Sequence, residues 1–239
     1  MNMVNEKTSS ERVTRKRQAR IDGILDVALN IMSRNGLEAM SMHQVAAELD
    51  LTVGALYRYF PSKGVMVANL ERRVIRDYGA DLVRMVIDEA PDVSGAGDSV
   101  ALLVPLVRLG LAYRKLCHEK PVHMQLINAL LANPGHMLPE AEGQLVIETM
   151  FEIFEPFEAM VQQAMDAGAM SQGDAGARLL MSWNASRAVL QLAKLSTFDP
   201  KRFDNSILFY ETNLTLMRGW GADADAVSAA WTIANEGLE

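Results

Sequence analysis

The sequence predicts an all-α protein, and three features of it carry the prediction. No stretch sustains the period-two alternation of a strand. Apolar residues instead recur at steps of three and four along most of the chain. Proline, glycine and Asn-Gly signals divide that pattern into segments of helix length. At 239 residues the chain is long enough for a small N-terminal module and one larger helical domain. The expected division is a flexible basic arm over 1–13, a helical module over 14–61 and a helical domain over 62–239.

The first helix is expected over 14–35. Ile21, Ile24, Ala28, Ile31 and Met32 form its apolar stripe, and Asn35-Gly36 is its stop. Ser41 is placed to cap a second helix, whose apolar positions Val45, Ala46 and Leu49 keep helical spacing. Asp50 and Leu51 make the turn, and Thr52 is placed to cap a third helix reaching Phe60. Small Ala46, Ala47, Gly54 and Ala55 let these two helices cross closely, as a helix-turn-helix requires. Thr52, Val53, Ala55, Tyr57, Arg58 and Tyr59 then face outward. Such groups suit phosphates and base edges rather than a core. Pro61-Ser62 opens a long fourth helix over 62–89, with Val67, Leu70, Val74, Tyr78, Leu82 and Met85 along one face. It belongs to both the module and the larger domain, and so links them mechanically.

In these residues the chain resembles the N-terminal DNA-binding region of the TetR family of bacterial one-component transcriptional regulators. The resemblance lies in Ser41, Ala46, Leu51-Thr52-x-Gly54-x-Leu56-Tyr57 and Tyr59-Phe60-x-Ser62-Lys63, and is specific over residues 14–70. Asp50 stands where the family commonly has glycine, which points to a turn residue at positive φ. Gly64 stands where the family commonly has an acid, which loosens the start of the next helix. The residues expected at a double-stranded operator are Thr52, Val53, Gly54, Ala55, Tyr57, Arg58 and Tyr59, together with Met42. Ser41 and Lys63 are expected on phosphates, helped by Arg17 or Arg20. Arg58 is the side chain expected to select a guanine.

Charge distribution points the same way. Residues 1–73 hold 11 Lys+Arg and 8 Asp+Glu, 11 − 8 = +3. Residues 74–239 hold 12 and 22, 12 − 22 = −10, which sums to the −7 of the whole chain. Asymmetry of this kind matters more to a polyanion than the total. Arg15, Lys16, Arg17 and Arg20 fall near the expected start of the first helix, where cations oppose its dipole, so a phosphate backbone is the better reason for them.

Past the loop signal at 91–98, helices are expected over 99–118, 121–132 and 140–167. Pro105 is able to bend the first of these, Asn133-Pro134-Gly135 ends the second, and Pro156 predicts a kink or break in the third. Two strong helices follow over 174–196 and 200–219, and a tail helix over 224–234 has no assigned purpose. The 174–196 helix is apolar on two sides, which means burial on two sides: in a monomeric bundle, or against a second chain. TetR-like proteins dimerise through a four-helix bundle of two C-terminal helices per chain. The resemblance therefore implies a homodimer with Met181, Ala185, Ala188, Leu192, Leu195, Ile207, Tyr210, Leu214 and Met217 at its interface. Two recognition helices would then read a pseudo-palindrome with half-sites about 34 Å apart or multiples of it.

The resemblance further implies that the larger domain binds a small molecule that releases the DNA, as a repressor requires. Tyr113, Phe151, Phe154 and Trp183 offer surface for it, and Cys117, His123, Asn128 and Asn184 offer polarity. An apolar or amphipathic effector is expected; no residue identifies it. A DNA-binding activator, or a regulator that senses a protein, is the alternative. A helical enzyme or structural bundle comes third, since the chain has no catalytic constellation. Phosphate-binding Gly loops, CxxC pairs and Ser elbows are missing, so no cofactor is expected. His118 and His123 do not share a helix face, so no metal site is expected. The lone cysteine, Cys117, fits a reducing compartment. Charged residues interrupt every apolar run and no signal peptide opens the chain, so a cytoplasmic location is expected.

Overall fold

The computed structural model describes residues 3–132 and 138–238. Every regular element among them is helical: α1 (Met3–Asn35), α2 (Met42–Glu48), α3 (Val53–Tyr57), α4 (Lys63–Val83), α5 (Asp98–Glu119), α6 (Pro121–Ala132), α7 (Glu140–Asp166), α8 (Ala175–Gln191), α9 (Asn205–Gly219) and α10 (Ala224–Asn235). A π-helical segment, Arg84–Asp88, continues α4, and a 3-10 segment, Leu192–Thr197, continues α8. No helix is long and apolar enough to cross a membrane, among the described residues.

Two compact units share these helices. One comprises Met1–Ile75 and Val122–Thr149; the other comprises Arg76–Pro121 and Met150–Glu239. The expected boundary at 61/62 thus lies elsewhere by contact, and most of α6 and the start of α7 join the helix-turn-helix rather than the larger domain.

The core of the first unit is built from the stripes read in the sequence. Ile24, Ala28, Ile31 and Met32 of α1 meet Val45 and Ala46 of α2, Leu56 of α3, Phe60, and Met66, Val67, Leu70 and Val74 of α4. Leu126 of α6 is fully buried against the same cluster. Residues 3–13, expected as a flexible arm, are the first turns of α1. They contain neither proline nor glycine, so nothing local stops the helix before Met3. Arg15 to Arg20 lie in the interior of a 33-residue helix, about three turns from its start, and the dipole argument does not apply to them.

In the second unit α10 packs along α5, burying Val227, Ala230 and Ala234. That packing gives the tail helix its purpose. Arg108 of α5 is buried without an ion-pair partner among the described residues; its guanidinium is satisfied by backbone carbonyls instead. Nε donates to Met85 at 2.6 Å, Nη2 to Glu89 at 2.8 Å, and Nη1 to Ala234 and Glu236 at 2.9 Å each. Desolvation lowers its pKa, and those four acceptors offset the cost of the buried charge. The same side chain accounts for the end of the fourth helix, expected to stay α-helical to residue 89. Carbonyls of Met85 and Glu89 turned to Arg108 accompany a widened last turn, closed by Glu89 N to Arg84 O at 2.8 Å.

Neither internal proline interrupts its helix. α5 is continuous through Pro105 and α7 through Pro156, so of the kink or break expected at Pro156 the break does not occur. The 200–219 helix begins later than expected, at Asn205, because the Asp204 side chain accepts from the backbone N–H groups of Ser206 and Ile207. The expected stop at Asn133-Pro134-Gly135 lies outside the described residues.

Candidate nucleic-acid interface and effector site

Local hydrogen bonds set the turn between α2 and α3. Ser41 caps α2 in a complete capping box: its Oγ accepts from Gln44 N at 3.2 Å, and Gln44 Oε1 accepts from Ser41 N at 3.1 Å. Asp50, the residue read as a turn at positive φ, has φ 52. It is the one non-glycine in that region among the described residues. Leu51 N then returns to Ala46 O at 2.9 Å, and Thr52 Oγ1 accepts from Ala55 N at 3.2 Å to start α3. The recognition helix is shorter than expected, Val53–Tyr57, with Arg58 as its C-cap.

The side chains divide sharply. Thr52, Gly54, Tyr57 and Arg58 are exposed, with Ala55 partly so, and form the outward surface. Leu56 faces the core. Gly54 has open space where a Cβ would stand, so it is not the site of close helix crossing; of the two alanines on α2, Ala46 is buried and Ala47 exposed. Met42, expected at DNA, is buried in the core, because the first helical position after Ser41 points inward. Val53 and Tyr59 are half-buried and pack against that core. Lys63 is already engaged, its Nζ donating to the carbonyls of Leu37 and Glu38 at 3.4 and 3.3 Å. Every residue from Glu11 to Arg20 is exposed, so Arg12, Arg15, Lys16, Arg17 and Arg20 add a solvated basic stretch on α1.

The expected effector residues are not one group. His123 and Asn128 belong to the first unit, whereas Tyr113, Cys117, Phe151, Phe154, Trp183 and Asn184 belong to the second. Within the second unit, aromatic rings meet edge to face. Tyr78 and Tyr113 have centroids 6.0 Å apart, Phe154 and Trp183 5.3 Å, and Phe151 and Phe154 6.4 Å. Tyr78 Oη donates to the Tyr113 carbonyl at 3.0 Å and lies 3.5 Å from Cys117 Sγ. Burial pushes the Cys117 thiol and both phenols above their ordinary pKa values, so all three are neutral at pH 7. Tyr78 and Arg187 are part of this region and were not among the expected residues; a stripe pattern scores Tyr78 as core and Arg187 as surface.

Of the residues expected at a dimer face, Met181 is 52 % exposed and Ile207 59 % exposed. Ala188 and Leu192 are also exposed, and Ala185, Leu195 and Leu214 partly so. Met217 is buried within the protomer, and Tyr210 packs on Trp231 at 4.9 Å, so neither lies on the open face. The tail helix that supplies Trp231 covers that side of α9.

Residues 24–70 match the family of bacterial regulatory proteins described as the tetR family. Among curated relatives, the chain is 37% identical over 110 residues to the HTH-type transcriptional repressor KstR of Mycobacterium tuberculosis, covering 46% of this chain and 41% of that protein. The chain thus spans less than half the length of that repressor in the match. It is 26% identical over 165 residues to the nucleoid occlusion factor SlmA of Klebsiella pneumoniae, covering 69% of this chain and 75% of that one. Among solved structures, RolR in complex with resorcinol superposes with a TM-score of 0.61 at 12% identity, covering 95% of this chain and 98% of that one. At that identity the likeness carries the fold.

Proposed function

We propose that this chain, which belongs to the tetR family of bacterial regulatory proteins, is a cytoplasmic, homodimeric repressor that leaves a pseudo-palindromic operator when a small apolar or amphipathic ligand binds. It is a binding protein and not an enzyme. The observation that carries this reading is the short, capped α3, which holds Thr52, Tyr57 and Arg58 exposed above a packed core. Backbone contacts from exposed α1 cations would supply affinity without sequence preference, and α3 would supply the sequence preference. Likeness to KstR, named a repressor, and to RolR solved with resorcinol supports the sign of the response and the existence of an effector. The second reading is a DNA-binding activator, or a regulator that answers to a protein rather than to a small molecule; the match over 69% of the chain to SlmA is to a protein named for nucleoid occlusion rather than for transcriptional repression.

The test is binding of Arg58→Ala to a selected operator and to a scrambled duplex. If Arg58 reads a base, the specific complex weakens by about 1–3 kcal/mol while the scrambled one barely changes. Equal losses on both duplexes would reassign Arg58 to the phosphate backbone, and no preference for any duplex by the unsubstituted protein would end the regulator reading. Release from operator by small apolar ligands separates the first reading from the second.

A further inference from the structure

The cations of the first unit divide into two sets. Four are held within it: Arg34 Nη2 pairs with Glu48 at 2.6 Å, Arg73 Nη2 pairs with Asp26 at 2.5 Å, Arg72 Nε donates to Thr149 Oγ1 at 3.3 Å, and Lys63 Nζ donates to two carbonyls. The side chains of Arg58 and of Arg12, Arg15, Lys16, Arg17 and Arg20 form no ion pair or hydrogen bond, among the described residues. All of these but Arg58 stand on one stretch of α1, from Glu11 to Arg20, in which every residue is exposed. Ile21 is the first residue after that stretch to pack against the core. At about 1.5 Å per residue, Arg12 lies about 13 Å further out along the helix axis than Ile21.

Arg12, Lys16 and Arg20 fall at successive steps of four and so share one face, in a line about 12 Å long. Glu11 and Asp22 lie about a third of a turn from that line. Asp22 is also engaged, its carboxylate accepting from Gln18 at 2.9 Å and its carbonyl from Arg73 at 3.0 Å. Like charges spaced by four destabilise a helix, and an external polyanion offsets that cost. A lipid headgroup layer and a nucleic-acid backbone both present such charge. A membrane-surface helix needs an apolar face opposite its cations, yet from Glu11 to Arg20 the apolar residues are Val13 and Ala19 alone. A duplex asks for no such face. The same helix, moreover, goes on to bury Ile24, Ala28 and Ile31 in the core that carries α3.

We infer that the Arg12–Lys16–Arg20 face of α1, flanked by Arg15 and Arg17, is a second DNA-binding surface that grips phosphates outside the operator half-site, whatever their sequence. This rests on the reading of the first unit as a DNA-binding module, and adds to it the length of duplex that the module needs. Each strand presents one phosphate per ~3.4 Å of duplex axis, so a reach of about 13 Å corresponds to about four base pairs beyond each half-site.

The test uses the full chain and a selected operator, either trimmed to its two half-sites or extended on each side by about six base pairs of either of two unrelated sequences. Both extended duplexes should bind at least about tenfold more tightly than the trimmed one. In Arg12→Gln/Lys16→Gln/Arg20→Gln that gain should vanish, and on extended duplex the slope of log K against log salt should become shallower by about 3. Extended operator and extended scrambled duplex should lose affinity by the same factor, unlike the effect of Arg58→Ala. Arg12→Lys/Arg20→Lys, which keeps the charge a phosphate needs, should keep the gain and the slope. The thermal midpoint of the triple variant should not fall, since all three side chains are exposed. No gain from extension, a gain that depends on the added sequence, or a salt slope unmoved in the triple variant each overturns the inference. So does a triple variant that binds duplex undiminished but loses binding to phosphatidylglycerol vesicles, which would assign the face to a membrane surface. Operator preference retained with no effect of extension removes this surface alone, whereas no preference of the unsubstituted protein for any duplex removes the regulator reading instead.

Discussion

Asp50 holds the helix-turn-helix together in a backbone conformation that a side chain disfavours. With φ 52, and with Leu51 N returning to Ala46 O at 2.9 Å, the turn needs a left-handed residue at this position. Glycine adopts that region without a Cβ penalty, so Asp50→Gly should stabilise the protein by about 0.5–1 kcal/mol, read as a higher denaturant midpoint. A lower midpoint would mean that the Asp50 carboxylate contributes something the turn geometry does not show. The position was legible from the sequence because caps and turns are written in a few adjacent residues: Ser41, Asp50 and Thr52 each act on partners at most four positions away. Arg108 was not legible, because two of its acceptors lie 126 and 128 residues away. Met42 misled for a related reason, since which way the first residue after a cap points is fixed by the helix it packs on. Tyr78, Tyr113 and Cys117 have folded pKa values raised by burial, above ordinary values of 10.0 for the phenols and 9.0 for the thiol. Groups raised in this way stabilise the fold fully below their unfolded pKa, and that stability is lost as the pH rises beyond it. Urea unfolding should therefore show stability falling above about pH 9, with a shallower fall in Tyr78→Phe.

Gly79 on α4 is the clearest constraint between two elements of the second unit. A Cβ there would lie 2.4 Å from Ile153 Cδ1 and 2.7 Å from both Cγ atoms, so no single rotation of the Ile153 side chain makes room. Gly79→Ala should destabilise by about 1–3 kcal/mol despite its better helix propensity, through overpacking. Combining it with Ile153→Ala should cost less than the two changes summed, which thermal melts of the four proteins in the cycle would measure. If Gly79→Ala is neutral alone, the two helices are not fixed at this distance. Periodicity in the sequence found both helices, yet gave no sign that they approach this closely. A stripe identifies which face is buried but not what lies across from it. Pro156 shows the same limit in reverse. Its local rule allows a kink or a break, and α7 runs on unbroken to Asp166, with Phe157, Val161, Ala164 and Met165 buried beyond it.

At the scale of the whole molecule, the exposed apolar groups of α8, α9 and the segment between them are what a single chain leaves unexplained. Met181 and Ile207 are more than half exposed, and Phe198, between the two helices, is 85 % exposed. Scattered apolar residues are ordinary on a surface, but three large ones on consecutive elements next to exposed Ala188 and Leu192 make a patch. A two-fold partner would bury it, and the symmetry would place the same residues opposite themselves. Ile207→Glu then puts two like charges into the centre of that contact while leaving the protomer intact, since the side chain touches solvent rather than core. Sedimentation should show a single-chain species where the unsubstituted protein sediments as a pair, with unchanged helical circular dichroism. Operator affinity should drop by at least about tenfold in the same variant, because the second DNA-binding head no longer arrives tethered to the first. A variant that remains paired would move the interface away from α9. A variant that separates yet binds operator undiminished would mean that one head reads its site alone, and that the palindrome is not required.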